Sequence, residues 1–364
     1  MRVRAAVIEA PGSALVVELL DLAEPGRGEV RVRMRAAAIC RSDLHVAETG
    51  EALRFPAVLG HEGAGVIEAV GPGVAIETGT QVVLSWTPRC GSCPRCVEGR
   101  PQLCQELSIS PPGGHLYRGD VAMGAYMGLG CLAEAVVVPE ACAVAVPVDS
   151  DPAQMCLLGC GVTTGFGAAT NTAGVTTGDV VAVFGCGAVG LSAVQGARVA
   201  GARRIIAVDP NPARRGLATD LGATDTLDPA EGDPYADILA MTAGGADIAI
   251  EAVGDTEVMG RLLDTIHPGG TAVIVGLPSF AESFTVWLFH LLLEKTITGS
   301  IYGSSDPQHD FAILAELHSQ GRLGLAELTG GRYSLDDVNK AMAELAEARS
   351  PRPVVVFGQA GSER

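Results

Sequence analysis

His61 and Glu62 stand side by side in Leu59-Gly60-His61-Glu62-Gly63-Ala64-Gly65, between glycines that carry no side chain to crowd them. A neutral imidazole is the commonest metal ligand near neutral pH. Upstream, Cys40-Arg41-Ser42-Asp43-Leu44-His45 offers a thiolate, a hydroxyl, a carboxylate and a second imidazole. Far downstream, Cys160 lies between Gly159 and Gly161. One histidine and two cysteines form the donor set of a catalytic zinc, which keeps its fourth position for water or substrate. Taken alone, His61 reads equally well as a structural histidine in a glycine-rich turn, so the remaining motifs must decide.

Cys90-Gly91-Ser92-Cys93-Pro94-Arg95-Cys96, followed by Cys104, is a C-x2-C-x2-C-x7-C run. Four thiolates can enclose one tetrahedral ion with no position open, the mark of a structural zinc. A ferredoxin-type iron–sulfur cluster also uses C-x2-C-x2-C, but this fourth cysteine follows after seven residues and precedes no proline, which favours zinc. The third motif is Gly185-Cys186-Gly187-Ala188-Val189-Gly190, placed between the apolar run Val180 to Phe184 and an apolar helical stretch through Ala200. In that order, Gly185, Gly187 and Gly190 allow a tight turn and let a pyrophosphate rest on the helix N-terminus. Asp209 stands nineteen residues beyond Gly190, at the end of the apolar run Arg204 to Val208. A carboxylate there accepts ribose hydroxyls and repels a 2′-phosphate, so NAD is expected rather than NADP. Arg214 and Arg215 follow closely. Arg214 is kept as a candidate cofactor contact, although both are better explained as exposed helix charges, because Asp209 would oppose a phosphate.

These groups need elements to hold them. From Met1 to about Val83 the pattern predicts short strands and turns. Val30 to Arg35 alternates apolar and charged residues, as a half-buried strand does, and Val66 to Val70 runs into the turn Gly71-Pro72-Gly73. Ser108 to Met127, with Pro111-Pro112-Gly113-Gly114, reads as a surface loop carrying an exposed His115. Cys131, Cys142 and Cys156 have no ligand spacing and are expected in the core. Val162 to Thr172 is expected to be helical. The runs Val180–Phe184, Arg204–Val208, Asp247–Gly254, Gly269–Gly276 and Thr296–Ser300 alternate with helical stretches, which predicts a doubly wound parallel sheet. A helix from Asp336 to Ala348 and a strand from Pro353 to Phe357 are expected to return to the first domain, making the sheet an insertion.

Bulk properties narrow the partners. The 364 residues suffice for two domains, and 48% hydrophobic against 18% charged residues excludes a disordered chain. A formal net charge of -17 disfavours nucleic acid and anionic membranes, whose phosphates would be repelled. The N-terminus lacks the apolar stretch of a secretory signal, and the run Val286 to Leu293 is interrupted by His290 and too short to span a bilayer. Ten cysteines without such a signal point to reduced thiols and the cytoplasm.

An open Cys2His set, a closed four-cysteine set and a dinucleotide fingerprint, in that order, resemble the zinc-dependent medium-chain alcohol dehydrogenase family, in its two-zinc branch. The resemblance runs across essentially the whole chain. It is most specific at Gly60-His61-Glu62-Gly63-Ala64-Gly65 and at the Cys40 to His45 run. It implies an α/β fold: a GroES-like β-rich catalytic domain of residues 1–161 and 303–364, with a structural zinc lobe at about 86–106, and an inserted Rossmann NAD-binding domain of residues 162–302. It implies Cys40, His61 and Cys160 on a catalytic zinc, with Glu62 behind the metal and Asp43 orienting the ligand histidine. It places Cys90, Cys93, Cys96 and Cys104 on a structural zinc, two zinc ions per chain. It makes Ser42 and His45 a proton relay reaching solvent by way of the cofactor ribose. Arg41 and Arg352 would face the NAD pyrophosphate, and Thr164 and Val189 would pack the nicotinamide.

The activity so implied is hydride transfer between a primary or secondary alcohol and NAD, giving the aldehyde or ketone. Trp86 stands where the family has a ring on the substrate pocket wall. Trp86 and Cys160-Gly161-Val162 are also similar to the actinobacterial branch, which holds mycothiol-dependent formaldehyde dehydrogenase and enzymes with tightly bound NAD. A thiol-adduct formaldehyde dehydrogenase or such a nicotinoprotein is therefore the alternative. Ser108 falls where glutathione-dependent members carry an arginine, which argues against a glutathione adduct. A non-catalytic NAD sensor would need no relay, and a lyase on the same fold remains a further class. The family implies a homodimer, with a homotetramer the other option.

Overall fold

The computed structural model describes residues 1–106 and 115–358; Ser108 and Pro111-Pro112-Gly113-Gly114 lie outside them. The chain divides into two compact units, one of Met1–Cys160, Asp306–Gly321 and Leu325–Arg364, the other of Gly161–Ser305 and Arg322–Gly324.

In the first unit, Glu29–Ala38 forms one long strand whose Val30, Val32 and Met34 are buried while Arg31, Arg33 and Arg35 are half-buried. Alternation of this kind fits a sheet with one face on the core. The strand is central to a seven-stranded sheet, where it pairs antiparallel with Glu62–Val70 and with the C-terminal strand Arg352–Val356. Register decides what meets at its end. Ala38 lies opposite both Glu62 and Val354, so Cys40, His61 and Arg352 all emerge at one end of three adjoining strands. Small residues permit this closeness: a Cβ on Gly65 would lie 2.3 Å from the Arg33 carbonyl oxygen, and one on Gly63 2.5 Å from Met34. A second, six-stranded sheet includes Arg2–Ile8 and Val16–Leu22. Cys131, Cys142 and Cys156 are buried, as expected, whereas His115 is half-buried and lies 3.0 Å from Glu29 rather than free in solvent.

In the second unit six strands run parallel in the spatial order Asp225–Leu227, Arg204–Val208, Val180–Phe184, Ala246–Glu251, Ile266–Ile274, Thr296–Gly299. Numbered along the chain this order is 3-2-1-4-5-6, the dinucleotide-binding plan, whose crevice opens at the carboxyl ends of strands 1 and 4. Val180–Phe184 is buried throughout, which explains its unbroken apolar run. The helix Ala188–Ala200 follows and ends on Gly201 at φ 91°, where a left-handed residue costs glycine nothing. The helix expected over 162–172 is α-helical over Gly161–Gly167 and widens into a π turn over Ala168–Thr172. Among the described residues no helix is long and apolar enough to cross a membrane.

Candidate metal centres and nucleotide cradle

Helix Arg41–Thr49 begins directly after Cys40, and its buried Asp43 reaches back to accept the Cys40 backbone N–H at 2.9 Å. The other Asp43 oxygen accepts the Gly60 N–H at 2.9 Å and stands 3.4 Å from Nδ1 of His61. One carboxylate therefore ties the cysteine loop to the histidine loop. Cys160 enters at the end of the 3-10 turn Cys156–Gly159, and Gly159 is needed there because a Cβ would sit 2.9 Å from the Leu84 carbonyl oxygen. The result is a group of Cys40, His61, Glu62 and Cys160 whose ligand atoms all lie within 4.8 Å of one another. Two thiols, an imidazole and a carboxylate suit zinc.

Electrostatics fit that use. The Cys160 thiol donates to Cys40 and, with the Arg352 guanidinium and the His61 ring, outweighs burial and holds the Cys40 thiol well below its ordinary range. As the donor, and buried, Cys160 is held well above it. Burial works against charge on His61, yet Asp43 and Cys40 prevail and raise it well above the usual histidine value. Glu62 is fully buried, and burial pushes its carboxyl up to about 7 against the pull of Arg352. Arg352 lies in this cluster, with its guanidinium 2.8 Å from Glu62.

Around the cluster, the Ser42 hydroxyl sits 3.2 Å from Cys40 Sγ and 3.4 Å from Nε2 of His61. Arg41 is exposed at the first turn of the same helix, and Trp86 is buried just beyond strand Gln81–Leu84. His45 follows Ser42 by three residues on that helix, a spacing that puts both on one face. Two residues were not singled out from sequence. Tyr126 stands edge-on to His61 with ring centroids 5.2 Å apart and shares a hydrogen bond with Ser42. Nothing in Ala125-Tyr126-Met127 announces that contact. Glu51 lies 2.9 Å from His45, and Gly50, a helix-ending glycine, was the signal available for it.

Cys90, Cys93, Cys96 and Cys104 form a second group whose sulfurs lie within 4.8 Å of one another. The backbone N–H groups of Ser92 and Cys93 point at Cys90 Sγ from 3.4 and 3.3 Å, and lower that thiol to about 6. Burial instead pushes Cys96 up to about 12. Four sulfurs with N–H donors behind them match a closed zinc site.

In the second unit the fingerprint glycines divide their work. A Cβ on Gly190 would lie 1.7 Å from the Gly185 carbonyl oxygen, and Gly185 itself has φ 91°. A Cβ on Gly187 would meet nothing within 4 Å, so the space before this helix N-terminus is open to a phosphate. Asp209 is buried, and its two oxygens accept the N–H groups of Cys186 and Asn211, each at 2.8 Å. Arg214 lies 3.8 Å from Asp209, while Arg215 pairs with Asp228 at 2.9 Å. Val189 is half-buried in the first turn of the helix. Thr164 is buried, and its hydroxyl has no hydrogen-bond partner among the described residues.

A GroES-like unit with a Cys2His cluster and a separate Rossmann sheet are the parts of a metal-dependent dehydrogenase. Comparison with known proteins agrees. Residues 26–148 match the model of the alcohol dehydrogenase GroES-like domain, and residues 188–320 match that of the zinc-binding dehydrogenase. An NDMA-dependent alcohol dehydrogenase of Amycolatopsis methanolica is 39% identical over 369 residues, covering 98% of this chain and 99% of its own. An S-(hydroxymethyl)glutathione dehydrogenase of Synechocystis is 37% identical over 371 residues, covering 98% and 100%. The crystal structure of benzyl alcohol dehydrogenase from Acinetobacter calcoaceticus superposes with a TM-score of 0.93 at 33% identity, covering 98% and 100%. The chain belongs to the zinc-dependent medium-chain alcohol dehydrogenase family. It is an oxidoreductase.

Proposed function

We propose that the protein is an NAD-dependent alcohol dehydrogenase with two zinc ions per chain, one catalytic and one structural. The observation that carries this reading is the Cys40–His61–Cys160 cluster with the Ser42 hydroxyl in hydrogen-bond range of two of its members. Zinc held there would act as a Lewis acid that makes a hydroxyl more acidic, and NAD would supply the hydride acceptor. The chain's own residues do the rest. Asp43 fixes His61 and Cys40 in place, as a carboxylate behind a ligand histidine does. Ser42 takes the alcohol proton and releases its own, and His45 on the same helix face delivers one to solvent. Glu62, paired with Arg352, stands behind the metal, and Trp86 walls the alcohol pocket. Cys90, Cys93, Cys96 and Cys104 hold the structural ion.

For the nucleotide, Gly185, Gly187 and Gly190 cradle the pyrophosphate and Asp209 reads the ribose. Arg41, Arg214 and Arg352 are its cationic neighbours. Thr164 and Val189 pack the nicotinamide. We take residues 1–161 and 303–364 as the catalytic domain and 162–302 as the cofactor domain. The exposed Phe280, Trp287, Leu288 and Leu292, with the open edge of strand Thr296–Gly299, support a homodimer. Ten free thiols, six of them in the two clusters, support a reducing cytoplasm.

The test is a single preparation: zinc per chain, mass by light scattering, and NAD reduction on a panel of primary and secondary alcohols. Two zincs and turnover are expected, and two zincs with no turnover on any alcohol would sink the reading. The relative named for S-(hydroxymethyl)glutathione favours a second reading, oxidation of a thiol–formaldehyde adduct, and the resemblance at Trp86 and Cys160-Gly161-Val162 supports its variant, retention of NAD through turnover. Nucleotide released when the purified protein is denatured identifies retention. Asp209 has a sharper test. Asp209→Asn should raise the KM for NAD roughly tenfold and narrow the preference for NAD over NADP by a similar factor. Equal cofactor ratios in mutant and parent would remove Asp209 from cofactor choice.

A further inference from the structure

Glu51 is six residues beyond His45, a spacing that a continuing helix would turn to another face. The helix instead stops at Gly50, which is left-handed at φ 74°, and whose N–H bonds to the Val46 carbonyl at 2.9 Å. A Cβ on Gly50 would lie 2.6 Å from Pro11, so no larger residue fits the turn unchanged. Thr49 Oγ1 donates to the His45 carbonyl at 2.9 Å and accepts the Glu51 N–H at 3.2 Å, folding the chain back over the last turn. The Glu51 carboxylate thereby reaches Nε2 of His45 at 2.9 Å, and both side chains remain about a quarter exposed, at 28% and 26%.

We propose that Glu51 is a positioning residue for His45 in proton delivery; this rests on the reading of Ser42 and His45 as the relay. An ionised carboxylate can only accept, so the ring must carry its hydrogen on Nε2 and keep the lone pair on Nδ1. That leaves Nδ1 to receive the proton that originates on the alcohol. One proton then arrives at Nδ1, the ring becomes imidazolium beside the Glu51 charge, and one proton leaves the ring to a solvent base. Glu51 remains a carboxylate throughout, and in carbonyl reduction each transfer reverses. A carboxylate that sets the tautomer and stabilises the imidazolium acts as the third member of a hydrolase triad does. The partial exposure of the pair means that it adds little to stability, so its substitution reports on proton transfer rather than folding.

A double-mutant cycle tests this: parent, Glu51→Gln, His45→Gln and the double variant, each with zinc content, melting temperature and kcat/KM for an alcohol. Glu51→Gln should lower kcat/KM roughly 3- to 10-fold and His45→Gln about 10-fold or more, with zinc and melting temperature unchanged. In the His45→Gln background, Glu51→Gln should add nothing further, and added imidazole should restore part of the rate in both single variants. Equal losses from Glu51→Gln in both backgrounds, or no loss in either, would overturn the role of Glu51. An intact rate in His45→Gln would instead remove the relay itself, and Glu51's part with it.

Discussion

His61→Ala should lower kcat/KM for alcohols by about 10³-fold or more and reduce bound zinc from two ions per chain to one. The ring is 1% exposed and is held from one side by Asp43 and approached from the other by the Ser42 hydroxyl. Alanine can neither ligate nor fill that space, and Cys40 and Cys160 alone leave a site short of the three protein ligands a catalytic zinc requires. A Lewis acid stabilises developing oxygen charge by several kcal/mol, and about 4 kcal/mol corresponds to a thousandfold in rate. The four-cysteine group draws none of its donors from this region, so its ion should stay. Zinc analysis beside kinetics separates the outcomes. An active variant that still binds two ions would show that His61 is the structural histidine of a glycine-rich turn.

What could be read from sequence divides along physical lines. Val180–Phe184 and Arg204–Val208 appear in the structure with the bounds their apolar runs suggested, because strands buried on both faces leave no polar position to confuse the pattern. Asp225–Leu227, the third strand in chain order, went unread because its residues are only half-buried and two of the three are polar. For the final helix the sequence pattern suggests Asp336 to Ala348, but the first turn is 3-10 at Leu335–Asp337 and the α-helix spans Val338–Ala346. The clustering of Cys40, His61 and Cys160 was legible because ligand chemistry restricts residue type and leaves a mark in local motifs. Glu51, Tyr126 and the meeting of Glu62 with Arg352 were not. They depend on a helix cap, an irregular loop and strand register, and register couples residues that no local pattern connects.

That last contact predicts the largest effect on stability. Arg352→Met should destabilise the fold by about 3–5 kcal/mol, the range for removing one member of a buried ion pair. Both side chains are nearly inaccessible, 4% and 0%, and the guanidinium opposes the burial that already raises Glu62 to about 7. Without the cation, the carboxyl should bind its proton still more firmly. The sign follows from linkage. A carboxyl whose folded value lies above its unfolded value of about 4.5 keeps a proton that the unfolded chain releases, so stability is lost as pH rises from there through the folded value. The melting temperature of Arg352→Met should therefore fall more steeply than that of the parent between about pH 5 and 8. Glu62→Gln removes the charge while keeping the shape, so the double variant Arg352→Met/Glu62→Gln should recover most of the loss and flatten the pH dependence. If the double variant melts no higher than Arg352→Met alone, the uncompensated carboxylate is not the cause, and the arginine's packing against its strand neighbours is.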